Sequence, residues 1–301
     1  MATTAAPSMI RPLFSTPYIT PAEYKQAPTG VDVTNLVKGN QSASDAELAN
    51  VIARSCSLID TYFCGQTLAA TVDPDAGYQW VDRDGFIHVH PRQTPIIEVT
   101  AFSYGSTPND LIALSDFSAV AVETSMFHVP LTGGYSSSAG PLQFGMPRPG
   151  TRAWCQWTVV SGWPVTTLAA TAAAGATSIT VTDATGVLAG ITPLGIYDGG
   201  QSESVTVASS YVAGSATLPL TAPLRFPHNQ TGVSVSGLPP AVKQAAILIT
   251  TALIKTRGAA AIVAPAAGQY RSRVQSAQPG GVDSEEFYIA EDLLLPFRRV
   301  R

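Results

Sequence analysis

The stretch Leu238–Gly258, LPPAVKQAAILITTALIKTRG, constrains this chain more than any other. Pro239 and Pro240 open it, where a missing N–H has no helical partner to lose. Ala241 to Arg257 contains neither Gly nor Pro. Val242, Ala245, Ala246, Ile249 and Leu253 recur at helical spacing on one face. Ile247, Leu248, Ala252 and Ile254 widen that face, which leaves Lys243, Gln244, Thr250, Thr251 and Arg257 as a narrow polar stripe. A helix apolar over most of its girth must be covered on several sides. Lys255 and Arg257 suit the negative end of its dipole, and Gly258 suits its C-terminal cap.

Charge is sparse. Hydrophobic residues make up 45% of the chain and charged residues 13%. A surface with so few solvating charges fits an assembly component covered by neighbours; a compositional bias towards Ala and Gly accounts for it equally well. Net charge is −4, which implies no general affinity for nucleic acid. Residues 241–301 hold eight of the seventeen Lys and Arg against five acids, a net +3 that leaves −7 for the rest. Cys56, Cys64 and Cys155 form no CxxC. The first two lie about 12 Å apart along a predicted helix, too far for a disulfide. All three are expected to be reduced and buried. Met1–Thr20 lacks the pattern of a signal peptide, and no apolar run is long enough to span a bilayer.

Met1–Pro17 is rich in Ala, Thr, Ser and Pro and is expected to be a flexible arm. Thr20-Pro21-Ala22-Glu23 has the form of a helix start, and Ser44-Asp45-Ala46-Glu47 that of a capping box. The second launches a helix to about Cys64, with Leu48, Val51, Ile52, Ser55, Ile59 and Tyr62 as its stripe and Gly65 as its stop. It is a natural packing partner for the helix at 241–257. From Leu68 the period falls to two. Tyr78–Val81 and Phe86–Val89 flank Asp82-Arg83-Asp84-Gly85, a hairpin signature. Pro95–Tyr104 and Thr151–Ser161 alternate as strands. Thr166–Gly237 is a nearly uncharged run of short strands with Gly turns, the mark of a small sandwich or barrel. Residues 259–281 have little periodicity, and Asp283-Ser284-Glu285-Glu286 starts a last helix that Pro296 ends.

Catalytic chemistry needs converging titratable groups, and no nucleophile elbow, zincin motif, phosphate loop or dinucleotide fingerprint is present. His88 and His90, two apart, would share a strand face and a metal, with Asp82 and Asp84 across the hairpin; strand-face polar residues are the plainer account. Asp73 and Asp75 form a loop pair, and His128 and His228 are isolated. Trp154, Trp157 and Trp163 suit stacking on a sugar or base, or core packing. The chain is therefore expected to be no enzyme, with no cofactor and no metal. The tail is different. Phe297 and Val300 offer apolar anchors, and Arg298, Arg299 and Arg301 suit a partner's carboxylates.

The order of these pieces resembles the head–tail connector (adaptor) proteins of long-tailed bacteriophages. Ile19-Thr20-Pro21-Ala22-Glu23-Tyr24-Lys25 matches their opening "ITxxEaK". The helix Ser44–Phe63 with Cys64-Gly65, the strand Pro95–Tyr104, Pro239-Pro240-Ala241-Val242-Lys243-Gln244-Ala245-Ala246-Ile247, and the close Leu294-Leu295-Pro296-Phe297-Arg298-Arg299-Val300-Arg301 follow in family order. In that close Phe replaces the family's usual Tyr. The match spans about residues 18–65, 91–104 and 238–301; residues 166–237 depart from it as an insertion.

The resemblance implies an α+β fold. Its core would be a helical bundle (helices near 44–64, 241–257 and 284–295), joined by a β element and an inserted small all-β module. The corresponding division is a flexible arm at 1–17, a helical connector core at 18–75 plus 238–258, a β element at 76–165, the inserted module at 166–237, and an extended docking segment with a short helix at 259–301. It implies a ring of about twelve copies under the portal protein, made in the host cytoplasm and built into the virion neck. A tail-side stopper or tail terminator would lie below, and packaged double-stranded DNA would pass through without sequence-specific binding. No membrane is involved. Docking to portal or neighbouring subunits would use Tyr270, Arg271, Arg273, Leu294, Leu295, Phe297, Arg298, Arg299, Val300 and Arg301. The alternative is a virion receptor- or carbohydrate-binding protein acting through 166–237.

Overall fold

A computed structural model describes residues 17–37, 39–131, 149–255 and 285–298. The chain divides into two compact units, Met1–Gly65 with Pro239–Arg301, and Gln66–Leu238.

The first unit is helical. In α1 (Pro21–Gln26) the Thr20 hydroxyl accepts from the Glu23 N–H at 3.1 Å, and Pro21 takes the first position, as the motif requires. The second helix, α2 (Gln41–Tyr62), starts earlier than the capping box at Ser44 suggests. Its cap is Asn40, whose side chain accepts from the Ala43 N–H at 3.0 Å; Ser44 lies inside the helix and its hydroxyl returns to the Asn40 carbonyl. Asn is as good a cap as Ser, so the choice falls to the chain path that precedes it. The apolar faces of α2 and α3 (Pro240–Lys255) pack on each other. Leu48, Ile52, Ile59, Val242, Ala245, Ala246 and Ala252 are almost wholly buried. Small alanines on α3 allow a close approach. A Thr250–Ser55 hydroxyl pair at 2.9 Å marks where the two helices meet. The last helix, α4 (Glu285–Leu294), packs along α3.

The second unit is all β: β1 (Thr71–Trp80), β2 (Phe86–Val89), β3 (Ile96–Gly105), β4 (Ile112–Ala113), β5 (Ala121–Val122), β6 (Phe127–Pro130), β7 (Arg152–Ser161), β8 (Val165–Thr167), β9 (Ser178–Thr180), β10 (Pro193–Tyr197), β11 (Glu203–Thr206), β12 (Thr217–Pro219) and β13 (Ser234–Ser236). They form four antiparallel sheets, ordered β1-β7-β3-β4, β2-β6-β5, β11-β10-β13-β8 and β12-β9. Two cores result. One joins the first two sheets around Phe102, Tyr104, Phe127, Trp157 and Val159, with Phe102 and Phe127 edge to face at 5.9 Å. The other fills the 166–237 region with Leu168, Ile179, Leu194, Val207, Leu218 and Val235. Alternate residues along each long strand supply the inward side chains; in β3, register shifts at Ile96/Glu98 and Val99/Ala101 interrupt that order. The last residue of β3, Gly105, has no room for a side chain, since a Cβ there would sit 1.7 Å from the Asp110 carbonyl oxygen.

This overturns the expected α+β chain with a helical bundle core. Among the described residues the chain is mostly β-sheet, with four α-helices beside four sheets. The helices were conspicuous because periodicity accumulates over 16 and 22 residues, whereas many strands here are two to five residues long and leave little pattern. The hairpin at Asp82–Gly85 forms at its neck, with the Asp82 N–H donating to the Phe86 carbonyl at 2.9 Å and Val81 bridging Ile87 antiparallel, but beyond that its arms part: β1 pairs with β7 and β2 with β6. Cys56 and Cys155 are buried thiols, each pushed up to about 12 by loss of solvent. Cys64 is exposed instead, in a left-handed turn (φ 59°) one residue past the α2 cap. No helix among the described residues is long and apolar enough to cross a membrane.

Candidate functional site

Five groups of residues bear on function. The first is the C-terminal segment. Glu285 and Glu286 favour the start of α4 by facing its positive end. Glu286 pairs with Lys255 at the end of α3, and the Lys255 ammonium holds the Glu286 carboxyl below its ordinary range. Leu294 is buried within the unit. Pro296 turns the chain, and Arg298 stacks 5.0 Å over the Tyr62 ring at the end of α2. Burial raises the Tyr62 hydroxyl, and Arg298 acts against that shift. Ile289 and Leu295 stay outward, 42% and 48% exposed, and Phe297 is half-buried. Of the expected docking residues, Leu294, Leu295, Phe297 and Arg298 therefore lie on one short structured segment. Tyr270, Arg271, Arg273, Arg299, Val300 and Arg301 lie outside the described residues. A recess of about 180 Å³ beside α4 is lined by Pro28, Thr29, Ile247, Leu248, Lys255 and Glu286.

The second group joins two motifs. Glu23, from ITPAEYK, and Lys243, from PPAVKQA, are 220 positions apart, yet Lys243 Nζ donates to both Glu23 carboxylate oxygens at 2.8 Å. Lys243 is 3% and Glu23 9% exposed. Burial lowers the Lys243 ammonium from its usual range, and the Glu23 carboxylate opposes that shift. Beside this pair the Tyr24 and Thr251 hydroxyls meet at 3.0 Å.

The third is a surface on β1, where the usual alternation is inverted. Val72, Tyr78 and Trp80 point outward and are 54–56% exposed, while Asp73, Asp75 and Gln79 are half-buried. Asp75 lies 3.5 Å from the Arg92 guanidinium. Trp154 packs edge-on against Tyr78 at 4.9 Å, but Trp157, an odd step away on β7, turns into the core. Trp163 follows the strand, half-buried. The three tryptophans thus form no common stacking platform.

The remaining two groups are histidine clusters invisible to local spacing. His88 does not pair with His90. It faces His128, its register partner on β6, with Nδ1 atoms 2.7 Å apart. Asp82 takes the outer nitrogen of His88 at 2.7 Å, and Glu123 that of His128 at 3.1 Å. His228, far from isolated, is wholly buried between Asp198 (3.0 Å) and Glu203 (3.1 Å). Asp82 was within reach of His88 across the turn, but no signal in the sequence linked His88 to His128 or His228 to Asp198 and Glu203, which the fold brings together from 25 to 40 residues away. No group of three or more His, Cys, Asp or Glu among the described residues is placed to hold a metal ion.

Burial opposes ionisation of Glu203, but N–H donation from Arg225 and Phe226 and the His228 contact outweigh it and hold the carboxyl below its ordinary 4.5. A depressed carboxyl contributes stability above its unfolded pKa and loses it as pH falls through the folded value. The 166–237 region is therefore expected to weaken as pH drops below about 4.5, and Glu203→Gln to flatten that limb. Amide exchange of β10 and β11 against pH checks this; an unchanged acid limb in the variant refutes it.

No protein-family model matches the chain, and no curated protein matches it in sequence. Among solved structures it is similar to a chain of "Neck of empty GTA particle computed with C6 symmetry", at 12% identity and a TM-score of 0.36, over 94% of this chain and 95% of that one. A TM-score of that size does not establish a shared fold.

Proposed function

We propose that this chain is a non-enzymatic head–tail adaptor of a tailed bacteriophage. In this reading it forms a ring of about twelve copies beneath the portal, extends the DNA channel and receives a tail-side stopper or terminator. The supporting observation is the buried Glu23–Lys243 pair. Its members are one charged residue from each of two separate motifs that carry the connector resemblance, and they meet at hydrogen-bond distance. The motifs thus have a joint physical task, tying the opening helix to the hub.

Docking in this reading falls to the end of the chain. The segment around α4 places Ile289 and Leu295 outward beside Arg298, the mixture of apolar anchor and guanidinium that concentrates binding energy. An acidic remainder, −7 outside residues 241–301, lets DNA pass without tight phosphate contact.

The test mixes the full chain, or the chain cut after Leu295, with purified portal rings. The cut is expected to weaken binding by at least about tenfold, and Leu295→Asp in the full chain to do the same without unseating Arg298. Equal binding by all three forms removes the docking role.

A further inference from the structure

We propose that His88 and His128 form a two-histidine site for one divalent cation of the zinc, copper and nickel group, held between their Nδ1 atoms and backed by Asp82 and Glu123.

The argument starts with proton placement. The register sets His88 directly opposite His128, with rings 4.6 Å apart and nearly perpendicular, 89° between planes. Asp82 Oδ2 lies 2.7 Å from His88 Nε2, and Glu123 Oε1 lies 3.1 Å from His128 Nε2. An ionised carboxylate only accepts, so each Nε2 carries its hydrogen. In a neutral ring with hydrogen on Nε2, Nδ1 is a bare lone pair. With both rings neutral in that form, two lone pairs would face each other across 2.7 Å. That arrangement repels unless something positive lies between them.

The surroundings fit a metal. A histidine that ligates through one nitrogen almost always donates from the other to a carboxylate, which fixes tautomer and ring angle. Both arms here have that form. Asp82 is itself pinned, since its Oδ1 accepts from the Asp84 N–H at 2.9 Å and the Phe86 N–H at 2.7 Å. Two carboxylates contribute −2, which a divalent cation balances and a single proton does not. Imidazole suits zinc, copper and nickel. With bonds of about 2.0–2.1 Å at a tetrahedral angle, the two nitrogens would stand roughly 3.4 Å apart. Each ring therefore has to withdraw by only a few tenths of an ångström. The His88 side chain is 36% and the His128 side chain 17% exposed, so solvent can complete the coordination.

The test titrates zinc chloride, and separately nickel chloride, into the untagged full chain, with calorimetry and nitrogen-15 spectra of the histidine side chains as readouts. One equivalent is expected, with the metal-induced shift on Nδ1 of His88 and His128. His88→Gln or His128→Gln should abolish that equivalent, Asp82→Asn should weaken it about 10- to 100-fold, and His90→Gln should leave it unchanged. The circular dichroism of each variant shows that it has folded. Binding that persists without His128, a shift on Nε2, or no saturation by millimolar metal because a proton alone occupies the pair overturns the proposal.

Discussion

Lys243→Met is expected to destabilise the helical unit by about 3–5 kcal/mol, the usual cost of stranding one member of a buried ion pair. The residue is 3% exposed and makes two 2.8 Å contacts to Glu23, which is itself buried. Removing the ammonium leaves a carboxylate in an apolar site between helices. Removing both charges does not. Glu23→Leu with Lys243→Met is expected to recover most of the loss, since apolar replacement of a whole buried pair is often neutral or better. Denaturant unfolding, with amide exchange of α1 and α3 to assign the unit, measures both. A single-variant loss below about 1 kcal/mol, or a double variant no better than the single, removes the pair as the lock between motifs. In the proposed ring, a pair that sets helix register makes Lys243→Met disperse the assembly too, with the double variant restoring stability but not assembly; sedimentation of the three forms checks this.

His228→Leu is expected to cost the β unit a comparable amount, about 3–5 kcal/mol. The imidazole is wholly buried, with its two nitrogens 3.0 Å from Asp198 and 3.1 Å from Glu203. It ties the turn after β10 to the segment at Arg225–His228, where Ala172 and His228 also exchange backbone hydrogen bonds of 2.9 and 2.7 Å. Leucine fills much the same volume, so the loss reports the two abandoned carboxylates rather than a cavity. His228→Gln keeps one donor near one acid and should recover about half of the loss. Thermal unfolding with exchange at β10, β11 and β13 checks the order wild type, Gln, Leu. Leucine equal to wild type would mean that both acids are satisfied without the ring.

Much of the helical unit was legible in the residues. Thr20, Pro21 and Glu23 specify their helix start within four positions, and the apolar faces of 48–59 and 242–254 announce that both helices are covered. These signals are local and repeat every three or four residues, so they survive without knowledge of the rest of the chain. The β unit was less legible. Ile112–Ala113 and Ala121–Val122 are strands only because β3 and β6 lie beside them. Val72, Tyr78 and Trp80 share one face of β1 by their even spacing, but only the sheet's packing decides that this face points outward.

The candidate sites divide along the same line. Arg298 and Leu295 were singled out because basic and apolar residues at a chain's end suggest docking, a compositional argument that needs no fold. The His88–His128 pair, the Asp198–His228–Glu203 cluster and the Glu23–Lys243 lock were not available to such an argument. Each joins residues 25 to 220 positions apart. Local order follows from short-range sterics and periodicity, which the amino acids themselves set. Which distant side chains come to share a proton, a cation or a buried charge follows from strand register and helix packing, which the chain as a whole decides once most of its apolar surface has left water.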